Sequence, residues 1–189
     1  MIIETVKKLP CLLLPVEGKT LLLPTAAIAE IISYKTSEVE ILSDVPVWFI
    51  GMLSWRGVQV PLTSLEKMES YLTWNGIVEK EPESSKTSYI AIINRITKIN
   101  SNIEVQKFRQ YPFFAIRLQG RPKLVRVSEE TLKYDNKSKT TDARFLIEVQ
   151  VEKDITVIPN LDNVWEVIDT LPSRLQWLGK IVRRDGGSR

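Results

Sequence analysis

Apolar residues in this chain fall in short runs separated by polar clusters, and that spacing predicts strands throughout most of its length. Residues 12–16 (LLLPV) and 20–23 (TLLL) flank Glu17-Gly18-Lys19, a connection suited to a hairpin. Thr25 is placed to cap a brief helical turn over 26–29, after which 30–34 return to β-like composition and 35–44 read as a polar link. The stretch 45–65, VPVWFIGMLSWRGVQVPLTSL, then packs several elements together. It is apolar from Trp48 to Trp55, turns at Arg56-Gly57, alternates apolar with polar over 58–62, and closes at Pro61 and Thr63. Leu65, Met68 and Leu72 recur near helical spacing with Glu66 and Lys67 turned outward, which predicts a short amphipathic helix.

Residues 75–86 (NGIVEKEPESSK) have the composition of a linker and predict a boundary near 87. Beyond it, 89–93 and 113–118 are unbroken apolar runs, and 145–152 alternates with Ile147, Val149 and Val151 on one face. A tight connection at 152–154 leads into a strand over 155–158, while 136–142 (NKSKTTD) reads as a polar loop. Helical periodicity returns at the end, where Leu161, Val164, Trp165 and Ile168 share a face. Pro172 interrupts it before a second stripe of Leu175, Leu178 and Val182 opposite Lys180, Arg183 and Arg184. With no repeat at fixed period, the architecture that fits is two small barrels of short strands.

Composition narrows the function more by exclusion than by suggestion. With 43% hydrophobic and 26% charged residues and a formal net charge of +3, the 189-residue chain reads as an ordinary soluble globular protein, without a charge excess that calls for a polyanion. The N-terminal stretch has no signal-peptide core and no run is long enough to span a bilayer, so a cytoplasmic protein is expected. Histidine is absent, which removes Ser-His and Cys-His nucleophile systems and the most common metal ligand. The single Cys11 lies in an apolar run and reads as a small buried hydrophobe. Glu38 with Glu40, Glu81 with Glu83, and Glu129 with Glu130 sit in polar surroundings and read as solvated faces. No enzyme, cofactor or metal site is therefore expected.

The residues Gly51, Arg56-Gly57 and Pro61, preceded by Glu30-Ile31 in the segment 21–34 (LLLPTAAIAEIISY), resemble the pattern of the chemotaxis coupling proteins, the CheW-like adaptor family. The likeness is strong over 20–72 and looser after 88, where 88–94, 112–127 and 144–168 fall at the family's later strands and returning helix. Leu118-Gln119-Gly120 stand where the family usually has a Val-Asp pair followed by a small residue. Trp48, Trp55 and the Pro61-Leu62-Thr63-Ser64 end look more like the divergent adaptors of type IV pilus chemosensory systems than the flagellar ones. The resemblance implies a mainly β fold of two intertwined five-stranded SH3-like barrels with short helices and a C-terminal helix. It implies one lobe over about 9–86 plus a returning helix at 161–171, a second over about 87–160, and a basic tail at 172–189. It further implies a non-catalytic adaptor that couples a methyl-accepting chemoreceptor to the regulatory domain of a chemotaxis histidine kinase, in a system serving twitching motility. No small-molecule substrate is implied, nor any insertion into a membrane.

Arg56 is the candidate contact, because a guanidinium in a tight turn makes planar, bidentate contacts with carboxylates. Glu30 is its candidate partner, and the pair either braces its own lobe, presents a surface, or does both. Gly57 reads as a backbone requirement and not as a phosphate cradle. Ile28, Ile31, Ile50 and Met52 are candidates for an apolar partner-facing patch, although core packing explains the same residues. A different class, a nucleic-acid binder, draws on Arg174, Lys180, Arg183, Arg184 and Arg189 of the tail, and on Arg117, Arg121, Lys123 and Arg126 near Phe113 and Phe114. An amphipathic tail docking on a membrane or on a partner helix is a minor third reading.

Overall fold

The unbroken apolar runs exist because the strands that carry them are covered on both faces. The computed structural model describes residues 8–34, 38–42, 45–70, 89–95, 111–134, 145–151 and 154–171. Among them the strands are β1 (Leu9–Val16), β2 (Lys19–Pro24), β3 (Ile28–Ser33), β4 (Val39–Glu40), β5 (Phe49–Trp55), β6 (Val58–Thr63), β7 (Tyr89–Asn94), β8 (Phe113–Leu118), β9 (Lys123–Val127), β10 (Lys133–Tyr134), β11 (Phe145–Val151) and β12 (Asp154–Pro159). One α-helix, α1 (Leu161–Asp169), follows.

The strands form two sheets, in the orders β10-β11-β12-β2-β1-β9 and β3-β7-β8-β6-β5-β4. Each is built from two antiparallel halves joined by one parallel pairing, β12 with β2 in the first and β6 with β8 in the second. Each also ends in a two-residue strand, β10 or β4, so five longer strands carry each sheet. This is the mainly β fold of two SH3-like barrels expected from the sequence.

Alternate side chains of the central strands enter different cores, as the two-residue period of a strand requires. Cys11 and Leu13 of β1 join Leu22, Val125, Val127, Val149 and Val151 inside the first barrel. Ile90 and Ile92 of β7 join Val39, Leu53, Val60, Leu62 and Ala115 inside the second. The remaining faces meet between the barrels, where Leu14, Val16, Leu21 and Leu23 pack with Ala91, Ile93, Phe114, Ile116 and Leu118. Helix α1 buries Val164, Trp165 and Ile168 in that shared cluster, the face its periodicity predicts. Asn160 caps it, its side chain accepting from the Asn163 backbone N–H at 3.3 Å, and Asp162 stands in the first turn.

Strand pairing groups the chain otherwise than the boundary near 87. β1 and β2 bond with β9 and β12, and β7 and β8 bond with β3 and β6, so the chain leaves the first sheet after β2 and returns to it only at β9. β6 and β7, the strands before and after 75–86 in the sequence, belong to one sheet; polar composition carries no information about pairing. The return passes through Leu118-Gln119-Gly120, where the resemblance departs from its family pattern. There the Gln119 backbone N–H donates to the Pro15 carbonyl at 2.9 Å, tying the end of β8 to β1. Helix α1 likewise packs among residues of both sheets and not on one lobe alone.

Three local expectations change. Thr25 opens a 3₁₀ turn, Thr25–Ala27, and caps nothing; its hydroxyl donates to the Pro10 carbonyl at 3.3 Å instead. Leu65 and Met68 are buried immediately before and within a 3₁₀ turn, Glu66–Ser70, and not an α-helix, since a spacing of three suits the 3₁₀ period equally well. The polar link at 35–44 contains β4. The linker at 75–86, Leu72, the loop at 136–142, the stripe after Pro172 and the whole basic tail lie outside the described residues.

Glu66 begins the 3₁₀ turn with its Oε2 buried and unpartnered. Burial pushes its carboxyl above the ordinary 4.5, and Glu17 adds to the push, while local hydrogen bonding and Lys67 oppose it only in part. The folded chain therefore holds this proton to higher pH than the unfolded chain does. Stability falls as pH rises from 4.5 through the raised value, and the ionised side chain is destabilising at neutral pH. Glu66→Gln is expected to raise the melting temperature at neutral pH and to leave it unchanged below about pH 4. Thermal melts across that range check this, and a lower neutral melting temperature would contradict it.

Candidate partner-binding site

β5 and β6 are joined by a two-residue turn, with Trp55 directly opposite Val58. Arg56 and Gly57 both have positive φ, 48° and 77°, the combination of a type I′ turn, whose twist matches that of the flanking strands. Gly57 adopts it freely, whereas for arginine the left-handed conformation costs roughly 1–2 kcal/mol. The backbone reading of Gly57 is therefore met by its geometry.

Three side chains converge beside this turn. Trp55 Nε1–H donates to Glu30 Oε2 at 2.8 Å, and Arg56 Nη2 reaches the same oxygen at 3.0 Å. The Arg56 guanidinium lies 5.1 Å from the centroid of the Trp55 ring, and Trp55 packs edge-on against Phe113 at 5.1 Å. Three strands separate β3 from β5 in the sheet order, so these contacts show the sheet curling until its ends meet.

Exposure separates the bracing role from the presenting one. The Arg56 side chain is 69% exposed and that of Glu30 34%, and an ion pair so open to water contributes no more than about 1 kcal/mol. The indole of Trp55, partly buried and packed on the second barrel, is the better brace. It holds Glu30 in place, and Glu30 in turn orients a guanidinium that stays accessible. The sequence singled out Glu30 and Arg56 but not Trp55, whose value lies in an orientation that composition does not encode.

The apolar candidates do not form one patch. Ile28 and Ile31 are half-buried on β3, an end strand of its sheet, and pack toward the cluster between the barrels. Ile50 is half-buried against the core of the second barrel, on the opposite side. Met52 is buried in the shared cluster, so it serves packing. Phe114, offered for base stacking, is fully buried against Trp165, which removes it from any surface.

A second constellation escaped the sequence altogether. Arg95, at the end of β7, makes a bidentate pair with Asp169 at the end of α1, Nη1 donating to Oδ1 at 3.0 Å and Nη2 engaging Oδ2. Nη1 also donates to the Tyr111 carbonyl at 3.0 Å, and the guanidinium lies 4.2 Å from the centroid of the Trp165 ring. The Arg95 side chain is only 7% exposed. It fastens the helix to the second sheet, across a sequence separation that leaves no local pattern.

Chemistry is otherwise sparse. Among the described residues no group of three or more His, Cys, Asp or Glu is gathered to hold a metal, and no helix is long and apolar enough to cross a membrane. Cys11 is buried, and burial pushes its thiol up.

Two curled sheets around a shared core and one helix define a double SH3-like barrel. Its sequence over residues 10–95 matches the CheW-like domain family, a span that takes in β1 to β7 and the whole Glu30–Trp55–Arg56 constellation. The fold is similar to that of the scaffolding protein TtCheW from Thermoanaerobacter tengcongensis, with a TM-score of 0.57 over 82% of this chain and 90% of that one, at 13% identity. No curated protein matches the sequence. The CheW-like resemblance carried by Gly51, Arg56-Gly57 and Pro61 is borne out.

Proposed function

We propose that the protein is a non-catalytic chemosensory adaptor of the CheW type, which couples a methyl-accepting chemoreceptor to the regulatory domain of a histidine autokinase in the cytoplasm. The observation that carries this reading is the Arg56 guanidinium, held by Glu30 at the tip of a rigid hairpin yet left open to solvent. A barrel surface with a fixed, exposed fork of donors suits docking on a carboxylate-bearing partner, and needs no turnover. Ile28 and Ile31, half-buried on the strand that carries Glu30, leave only part of their apolar area open there. Receptor state would pass through the adaptor as geometry, by preference for one of two partner arrangements. Trp48, Trp55 and the Pro61-Leu62-Thr63-Ser64 strand end support a pilus-type system and twitching motility.

Calorimetric titration against the CheW-like regulatory domain of the cognate kinase tests the proposal. Saturable binding in the micromolar range, weakened by added salt, is expected. Absence of binding at both low and high salt would overturn the coupling role. A deletion strain that swims normally but does not twitch is the outcome expected of the pilus assignment, and the reverse pattern would sink it.

A further inference from the structure

β9 stands at the end of the first sheet and, among the described residues, pairs with β1 alone. Such an edge turns one row of backbone donors and acceptors away from its own sheet. Val125 and Val127 point into the first barrel, while Leu124 and Arg126 lie on the other face and are exposed. Leu124, at 62%, is one of four large apolar residues that are exposed among the described residues.

The charges around this edge are arranged end to end. Residues 121–129 read RPKLVRVSE, basic before the strand and acidic after it, with Arg121 and Glu129 both exposed. Glu129 is held close to the strand end by the Ser128–Thr131 turn, in which the Ser128 N–H donates to Thr131 Oγ1 at 2.8 Å. We propose that two copies of this chain associate antiparallel through β9, with the two-fold axis at Val125. That register sets Arg121 opposite Glu129 at both ends, Lys123 opposite Val127, and Leu124 under the aliphatic stem of Arg126.

Neighbouring registers are worse. A shift of two residues in one direction brings Arg126 against Arg126, and in the other leaves both glutamates without a basic partner. Parallel pairing in register would set Arg121 against Arg121. Pairing through β9 continues the first sheet across the dimer and uses no strand of the second sheet, which carries Glu30 and the Arg56 hairpin. The dimer is thus bivalent, and its avidity for a partner that is itself repeated exceeds that of one copy. A strand this short buries little area, so the association is weak and depends on concentration.

Sedimentation velocity over rising concentration tests this, starting from a chain of 21.7 kDa. The mass is expected to climb toward twice that value, and to do so less in high salt. Arg121→Glu alone, or Glu129→Arg alone, places like charges opposite each other twice and is expected to weaken association at least tenfold. An equimolar mixture of the two variants restores opposite charges at both ends and is expected to recover the dimer, as is the double variant. Both positions are exposed, so unchanged urea midpoints are expected for every variant. Single-chain mass at every concentration, wild-type association by both single variants, or failure of the mixture to recover would each overturn the proposal.

Discussion

Asp169→Ala is expected to lower the unfolding free energy by about 3 kcal/mol, although the Asp169 side chain itself is 38% exposed. The reason lies in the partner left behind. Arg95 is 7% exposed, and without Asp169 its charge is left with the Tyr111 carbonyl and the Trp165 ring alone. Its Nε already lacks a partner. Removing a carboxylate from the last turn of a helix returns some stability, about 0.5 kcal/mol, which keeps the loss at the lower end of the range for breaking a buried pair. Arg95→Met tests the same argument from the other side, since it removes the buried charge and keeps most of the apolar stem. It is expected to cost less than Asp169→Ala. Equilibrium urea unfolding checks both, and a milder loss for Asp169→Ala than for Arg95→Met would show that the ion pair is not what holds α1.

Gly51→Ala is expected to cost about 2 kcal/mol, through steric overlap. A Cβ at Gly51 would stand 2.4 Å from the Glu40 carbonyl oxygen and 2.8 Å from Val39 Cγ1. Neither neighbour can yield cheaply, because one is backbone and the other belongs to a buried core residue. The two-residue strand β4 must leave β5, and faster amide exchange at Val39 and Glu40 should accompany the lower urea midpoint. Gly57→Ala offers the contrast. Its Cβ would meet nothing within 4 Å, so only the φ of 77° opposes it, at about 1 kcal/mol. Equal losses at the two positions would mean that the close approach of β4 is unimportant.

These two sites mark where local pattern stops carrying information. The β1–β2 and β5–β6 hairpins were legible because turn residues, Glu17-Gly18 and Arg56-Gly57, stand between runs that pair with each other. Helix α1 was legible because Val164, Trp165 and Ile168 sit at helical spacing. The allocation of strands to sheets was not. Pairings such as Leu62 with Ala115, or Val157 with Leu21, join positions that share no turn and no periodicity. β4 was hidden for a similar reason, since Val39–Glu40 becomes a strand only because Gly51 lets it approach. In the candidate site, Glu30 and Arg56 could be named together from the resemblance, while Trp55 could not, because its hydrogen bond depends on the curl of the whole sheet. Met52 could not be told from a surface residue until the shared core between the barrels was in view.

On the proposed reading, the Arg56 side chain faces a partner and the fold does not depend on it. Arg56→Gly separates the two roles, because glycine relieves a left-handed backbone by about 1 kcal/mol while the exposed ion pair it removes contributes no more than about the same. The most direct measurement is therefore the affinity of Arg56→Gly for the kinase regulatory domain, read beside its urea midpoint. A midpoint close to that of the native chain with binding weakened at least about tenfold, roughly 1.4 kcal/mol, is the predicted result. Native affinity in the variant, with or without a loss of stability, would leave Arg56 as a brace and not a partner contact.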